Sequence, residues 1–516
     1  MSSLIKSTAS VGSMTLLSRV LGLARDIVIA RFFSASDAAD AFFVAFKIPN
    51  FLRRLFAEGA FSLAFVPVLT EYRNNYTAAQ TRDLIDRVAG TLGFILLLLS
   101  LFGVVASPLL TSVFAAGFID QPAKFDLTAG MLRITFPYIL LISMTAMAGG
   151  MLNTWKRFAV PAFTPVLLNL SLIGCAVYLS PRLDLPITAL AWGVLIAGIA
   201  QLLFQLPFLY REGLLPRPKW GWRHEGVQKI MKLMIPALFG SSVAQINLLF
   251  DTFIASFLVT GSVSWLYYSD RLLEFPLGVF GIALATVVLP NLSEAHYRQG
   301  ENHFNDTLRW AIQLSLLIAV PATFGLFLLA QPILATLFQY GAFSANDSLM
   351  AAYSLMAYSL GLPAFILIKI LASGFYARQD TRTPVRIGIQ AMIFNMVLNV
   401  VFVVSMVRSD FVAPHVGLAL ATTASAYFNA WRLARELRRD AILGPVETYS
   451  LPLLKILAAC IGMGALIHFM LPGVELWSEL RWFGRLRELA WLILPAILFY
   501  GILLWIMGFR RQHIVA

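Results

Sequence analysis

The chain has 516 residues, of which 59% are hydrophobic and only 13% are charged, and its mean hydropathy is +0.77. Soluble domains carry about 25% charged residues, so this composition excludes a cytosolic or secreted enzyme and predicts a membrane protein. The 39 Lys and Arg residues exceed the 27 Asp and Glu residues. In a membrane protein, basic cytoplasmic loops explain such an excess, and we therefore expect no nucleic-acid partner.

Apolar runs bounded by charged residues, proline and glycine predict fourteen transmembrane helices joined by short loops. In chain order they lie at 5–32, 39–70, 88–115, 127–152, 158–180, 187–210, 228–259, 265–293, 306–340, 348–377, 384–407, 411–436, 451–471 and 485–508. The ninth run is long enough to contain a break at Pro321 or Pro332. The predicted fold class is an all-α, polytopic membrane protein.

A weak internal repeat divides the chain. Residues 26–32 resemble 251–257, and residues 66–71 resemble 289–294, at offsets of 225 and 223 residues. Six predicted helices separate the copies, an even number, so both copies would have the same orientation in the membrane. We predict two six-helix lobes at 1–220 and 221–440, followed by helices 13 and 14 with a tail at 441–516. A chance match of such short strings is the alternative.

Basic residues predict the orientation of the helices. They are frequent in the connections after even-numbered helices and scarce in the others, apart from the last connection, where acidic residues accompany them. Because basic loops are retained in the cytoplasm, we expect both termini to be cytoplasmic.

Charged side chains are concentrated in the first two predicted helices of each lobe, where each costs about 2.5–3.5 kcal/mol unless it has a partner, water or a ligand. The charged and hydroxyl residues concerned are Ser18, Arg19, Arg25, Asp26, Asp40, Lys47, Arg53, Arg54, Glu58, Ser264, Asp270, Arg271 and Glu274, with Lys369 in helix 10. Basic side chains outnumber acidic ones, which favours an anionic ligand, and arginine favours bidentate binding of phosphate or diphosphate. Structural ion pairs, such as Arg271 with Glu274 or Arg54 with Glu58, are the alternative.

No motif for catalysis or cofactor binding is present. The sequence lacks a phosphate-binding GxxxxGK[ST] loop and an HExxH motif, both cysteines lie in apolar runs, and the six histidines are scattered. We therefore expect neither an enzyme nor a bound cofactor, with a coupling ion as the one exception.

That ion is sodium. Asp251 lies deep in predicted helix 7, and Asn395 and Asn399 share one face of helix 11, so the three side chains offer oxygen ligands to a monovalent cation. Thr422 and Thr423 could complete the site. The alternative is hydrogen bonding between helices, worth about 0.6 kcal/mol per pair.

Five segments, 18–26, 40–50, 53–61, 133–138 and 264–276, resemble the MurJ (MviN) lipid II flippases, of the multidrug/oligosaccharidyl-lipid/polysaccharide exporter superfamily. The resemblance extends over essentially the whole chain. It implies fourteen helices in two lobes, with helices 13 and 14 forming a groove for the lipid tail. The implied substrate is undecaprenyl-diphosphate-linked disaccharide pentapeptide, moved to the periplasmic leaflet of a bacterial inner membrane for peptidoglycan synthesis.

The resemblance also implies which residues bind this substrate. They are Ser18, Arg19, Arg25, Asp40, Lys47, Arg53, Arg54, Glu58, Ser264, Arg271, Glu274 and Lys369. It gives the sodium site modest support, because some members have one. We expect lipid II and membrane lipids as partners, and a monomer.

Two other functions fit the sequence less well. A cation-coupled multidrug exporter of the same superfamily is expected to have an acidic cavity, since its substrates are usually cations. A membrane-embedded glycosyltransferase would need a catalytic carboxylate beside a large periplasmic loop, and the predicted loops are short.

Overall fold

A computed structural model describes residues 2–54, 60–295, 301–444 and 447–509. In these ranges the chain is helical with short connections and no strand, which confirms the predicted all-α class. The chain divides into two compact units, Met1–Val263 and Ser264–Ala516. This division follows the packing of the helices, whereas the lobe boundary at 220 was inferred from the repeat and stays a prediction.

Within its described residues, the first unit contains ten α-helices. They are α1 (Ser2–Phe33), α2 (Asp37–Arg53), α3 (Ser62–Asn75), α4 (Ala78–Val105), α5 (Ser107–Phe114), α6 (Pro122–Thr135), α7 (Tyr138–Thr154), α8 (Ala159–Gly174), α9 (Thr188–Arg211) and α10 (Glu225–Ala255). Within the unit, α1 packs on α8, α2 on α6, and α7 and α8 on α9. One apolar core lies where α3, α4, α7 and the start of α10 meet.

Eleven α-helices are described in the second unit. The first of them begins at Ser262, just before the division between the units. They are α11 (Ser262–Pro276), α12 (Ala283–Glu294), α13 (Glu301–Leu328), α14 (Ala330–Leu337), α15 (Ala345–Ser359), α16 (Leu362–Tyr376), α17 (Arg382–Arg408), α18 (Val416–Arg439), α19 (Glu447–Met470), α20 (Val474–Glu479) and α21 (Trp482–Ile506). Helices α13, α16 and α18 pack together, and α19 packs on both α13 and α21.

Each of the fourteen predicted helices has a helical counterpart, but several are divided into two pieces. Predicted helix 4 is divided at Pro137, between α6 and α7, and helix 10 is divided just before Pro363, between α15 and α16. The long ninth run breaks at Leu329 rather than at Pro321 or Pro332. Because proline excludes a helical bond to the carbonyl four residues earlier, Pro332 disrupts the helix one turn before itself.

Nine helical segments in the described ranges are long and apolar enough to cross a membrane. Helices α1, α2 and α11, which carry most of the charged residues of the candidate site, are not among these nine, whereas the segment that carries Lys369 is. Helices α2 and α11 have only 17 and 15 residues.

Candidate substrate-binding site

A buried arginine lies at the centre of the polar face of α1. The Nη2 atom of Arg25 is 2.6 Å from Oδ1 of Asp26, and the two side chains are 4% and 2% exposed. Ser18 and Arg25 are seven residues apart and lie on the same helical face. The predicted Arg25 is therefore in place, with Asp26 as its neighbouring carboxylate.

Asn169 of α8 completes this cluster. Its Oδ1 accepts a hydrogen bond from Nη1 of Arg25 at 3.1 Å, and its Nδ2 donates to the carbonyl of Ser18 at 3.0 Å. Asn169 is 5% exposed. It thus fixes the guanidinium relative to α1. The sequence prediction missed it, although a single amide within the apolar run of helix 5 was an available signal.

Asp40, at the start of α2, is also held by protein groups. Its Oδ2 accepts from Nζ of Lys124 at 3.2 Å and from the backbone N–H of Gly261 at 2.8 Å. Lys124 is buried, lies 2.8 Å from Oδ1 of Asp37, and has its ammonium over the ring of Phe118. Lys124 is not among the residues predicted from the sequence, because it lies outside the predicted helices.

The carboxyl group of Asp37 belongs to the same network. Burial raises its pKa, but hydrogen bonds from Lys124 and Thr260 outweigh that effect, so the pKa of Asp37 lies below its usual range. The side chain of Lys124 thus lies between the carboxyl groups of Asp37 and Asp40.

Further along α2, the basic side chains are half-buried. Nζ of Lys47 donates to Oγ1 of Thr252 on α10 at 3.0 Å, and Nε of Arg53 donates to Oδ1 of Asn50 at 2.9 Å. Glu58, the acidic residue predicted next to these basic side chains, lies outside the described residues. A structural ion pair between Arg54 and Glu58 therefore stays a predicted alternative.

Two predicted basic residues of the first unit differ from these. Arg19 is exposed on α1 and Arg54 is half-buried just after α2. Neither forms a salt bridge with any residue in the described ranges. An arginine in a membrane segment that no described carboxylate contacts is a candidate for binding an anionic ligand, and for Arg54 a pair with Glu58 stays the alternative.

The second unit carries the other predicted residues. Ser264 is fully buried at the start of α11, and one turn from its end Nη1 of Arg271 lies 2.7 Å from Oε2 of Glu274. The guanidinium also lies over the ring of Tyr267, 5.6 Å from its centroid. The predicted alternative, a pair between Arg271 and Glu274, is therefore present. Lys369 is half-buried on α16 and forms no salt bridge within the described part of the chain.

The residues predicted to bind sodium belong to different units. Asp251 is half-buried on α10 of the first unit. In the second unit, Nδ2 of Asn399 donates to Oδ1 of Asn395 at 2.8 Å, and Nδ2 of Asn395 donates to Thr422 of α18 at 3.3 Å. The bond from Asn395 to Thr422 joins α17 to α18, as the alternative predicted, whereas the bond from Asn399 to Asn395 lies within α17. The sodium site stays a prediction.

The chain matches the family model described as lipid II flippase MurJ over residues 29–481. It is 48% identical to a probable lipid II flippase MurJ of Haemophilus influenzae, over 97% of this chain and 99% of that protein. It is 54% identical to the Vibrio cholerae protein of the same description, over 85% of this chain and 84% of that protein. The chain belongs to the MurJ family of lipid II flippases.

Solved structures agree with this membership. A MurJ lipid II flippase in an inward closed conformation matches with a TM-score of 0.78 and 27% identity, over 96% of this chain and 98% of that one. An inward-facing multidrug transporter of the MATE family matches with a TM-score of 0.66 but only 14% identity, over 84% of this chain and 98% of that one. The second match shows a shared fold alone.

Membership in the MurJ family and the apolar helices make this protein a multi-pass protein of the inner membrane. The predicted resemblance is confirmed, and the multidrug exporter alternative is supported by no more than the common fold. Against the twelve residues implied by the resemblance, the structure adds Asn169 and Lys124, which contact Arg25 and Asp40 respectively.

Proposed function

We propose that this protein moves lipid II, the undecaprenyl-diphosphate-linked disaccharide pentapeptide, from the cytoplasmic to the periplasmic leaflet by alternating access. Family membership supports the substrate class. In this proposal the chain acts as a transporter without catalytic residues, works as a monomer, and has both termini in the cytoplasm.

One observation in particular supports an anionic headgroup as the ligand. Arg19, Arg54 and Lys369 lie in the predicted transmembrane segments and form no salt bridge with the described residues. A basic side chain at membrane depth requires a compensating charge or water. The diphosphate of lipid II supplies two adjacent anionic groups, and guanidinium groups bind such oxygens in bidentate fashion.

The paired residues have a different role in this proposal. Arg25 already contacts an amide, Arg271 a carboxylate and Asp40 an ammonium group of the protein. Their partners fix them in position before substrate enters, which lowers the entropic cost of binding a flexible lipid headgroup. The substrate would then compete for, or add to, contacts that already exist.

The direct test is transport by the purified protein in proteoliposomes. Fluorescent lipid II is placed in one leaflet, and its appearance in the other is measured by accessibility to an impermeant quencher. We expect transport of lipid II but no transport of a cationic dye. Dye transport without lipid II transport would favour the multidrug exporter instead. A second test is depletion in cells, which should make lipid II accumulate in the cytoplasmic leaflet.

A further inference from the structure

The connection between α9 and α10 is fixed on the surface of α4. The backbone N–H of Arg217 donates to Oδ1 of Asp86 at 2.7 Å, and that of Lys219 donates to the carbonyl of Asp86 at 2.9 Å. The N–H of Gly221 donates to Oγ1 of Thr91 at 3.0 Å. Three hydrogen bonds over five residues hold this non-helical segment in one register.

Glycine is required on both sides of this contact. A Cβ atom at Gly90 would lie 2.2 Å from the backbone of Lys219, and a Cβ at Gly221 would lie 2.4 Å from the side chain of Arg87. Such distances are far below van der Waals contact, so the segment approaches α4 as closely as backbone allows.

The fixed segment displays two tryptophans. Trp220 and Trp222 are 58% and 45% exposed, and their rings stack with centroids 6.4 Å apart. The edge of Trp220 also contacts Phe94 of α4, at 5.2 Å between centroids. Exposed indoles are costly in water but favourable at a membrane interface, where the ring lies among headgroups and acyl chains.

The surface of α4 indicates that the tryptophans lie at the depth of that interface. Its first turns carry Arg82, Asp83, Asp86 and Arg87, whereas the exposed residues from Phe94 onward are apolar. The change from charged to apolar surface marks the boundary of the hydrocarbon region. Trp220 contacts α4 at Phe94, just past this change.

The same surface is positively charged. Residues 82–87 and 211–223 contain six basic and three acidic residues. Both aspartates of α4 are neutralised within it, since Lys219 lies 3.2 Å from Asp86 and Arg87 lies 2.6 Å from Asp83. Arg217 and Arg223, on either side of the tryptophans, are exposed and form no salt bridge with described residues.

From this geometry we propose a binding surface for the headgroup of an anionic phospholipid, phosphatidylglycerol, formed by Trp220, Trp222, Arg217 and Arg223. The lipid lies in the leaflet at the N-terminal end of α4. The two arginines contact the phosphate and glycerol, and the indoles pack on the upper acyl chain. Basic residues beside interfacial aromatic residues are the pattern that binds acidic lipids. The fixed register of the segment means that these groups need no ordering when the lipid binds.

The proposal is tested by photocrosslinking. The full-length protein is reconstituted in vesicles of phosphatidylcholine with a tracer of phosphatidylglycerol that carries a diazirine near the headgroup, and a phosphatidylcholine tracer of the same design serves as reference. Labelled peptides are quantified by mass spectrometry. We expect residues 212–224 to be labelled more by the phosphatidylglycerol tracer than by the reference.

The variants give the sharper comparison. Arg217→Gln/Arg223→Gln should lower this specific labelling by roughly fivefold per charge removed. Arg182→Gln/Arg408→Gln removes the same charge from exposed positions elsewhere and should leave it unchanged. Equal labelling by both tracers, or equal effects of both double variants, would overturn the proposal.

Excess unlabelled lipid II provides the last control. If it displaces the tracer while the same excess of unlabelled phosphatidylglycerol does not, this surface belongs to the transported substrate and the proposal is wrong. If phosphatidylglycerol displaces the tracer, the proposal is supported. The assay measures binding and not transport, so it can fail while lipid II is still flipped.

Discussion

Two buried charges of the first unit are each positioned by two polar partners. Arg25 has Asp26 and Asn169, and Asp40 has Lys124 and the N–H of Gly261. Each partner satisfies hydrogen-bonding capacity that would otherwise be costly in a membrane. The positions of Arg25 and Asp40 therefore depend on neighbouring residues such as Asn169 and Lys124.

We predict that lysine cannot replace the arginines of the candidate site. Arg19, Arg25 and Arg271 should each lose function as alanine and be restored only in part by lysine, because an ammonium cannot make the bidentate contact of a guanidinium. The measurement is complementation of depleted cells, with protein level followed by immunoblot. Full activity of all three lysine variants at normal level would contradict the bidentate role.

A second prediction concerns the stability of the network around Lys124. Lys124→Met leaves Asp40 as a buried carboxylate without its cation, which typically costs about 3–5 kcal/mol. We expect a lower midpoint of thermal unfolding in detergent, and a partial recovery in Lys124→Met/Asp40→Leu. The exposed Lys232 provides the matched control as Lys232→Met. Equal midpoints for Lys124→Met and the control would show that the pair contributes nothing.

The membrane orientation predicted from the basic loops can be tested at the connections between helices. Single cysteines at the exposed positions Ala79, Leu215 and Thr381 should react only with membrane-permeant reagents in intact cells. Cysteines at the exposed positions Val259 and Val412 should react with impermeant reagents as well. Native Cys175 and Cys460 are buried and give little background. Impermeant labelling at 215 would reverse the orientation that the basic loops predict.

Helices α19 and α21 correspond to predicted helices 13 and 14, which are expected to form the groove for the lipid tail. They pack on each other and expose apolar side chains, including Ile461 on α19 and Leu494 on α21. A photoreactive polyprenyl diphosphate should crosslink to these two helices. The comparison is α17, whose exposed Val397 and Val401 provide an ordinary apolar face. Equal crosslinking to α17 would identify α19 and α21 as plain lipid-facing helices.

The prediction that concerns the whole molecule is that a cation bound at Asp251 drives lipid II transport. Asp251→Asn should abolish any dependence of flipping on sodium or membrane potential while lipid II binding stays near normal, since it removes a charged ligand without changing volume. Transport in proteoliposomes with imposed gradients is the measurement. Wild-type flipping that is indifferent to sodium, pH and potential would leave Asp251, Asn395 and Asn399 as structural polar contacts.

The amino-acid sequence was sufficient to predict the all-α membrane class and the family, and it singled out the polar residues of the candidate site, whose roles stay predictions. Apolar runs about 20 residues long have a clear periodicity and length, and charges within them stand out because they are costly in a membrane. Family membership followed from long local motifs, such as 18–26 and 264–276. These features are local in sequence and need no knowledge of packing.

The pairing of the polar residues in the candidate site depends on the tertiary structure. Asn169 lies 144 residues from Arg25, and Lys124 lies 84 residues from Asp40, so no local pattern connects them. The attachment of Trp220 to α4 through Gly90 and Gly221 likewise required the fold. Hydrogen bonds and close contacts act over a few ångströms in space, and their distance along the chain is set by packing alone.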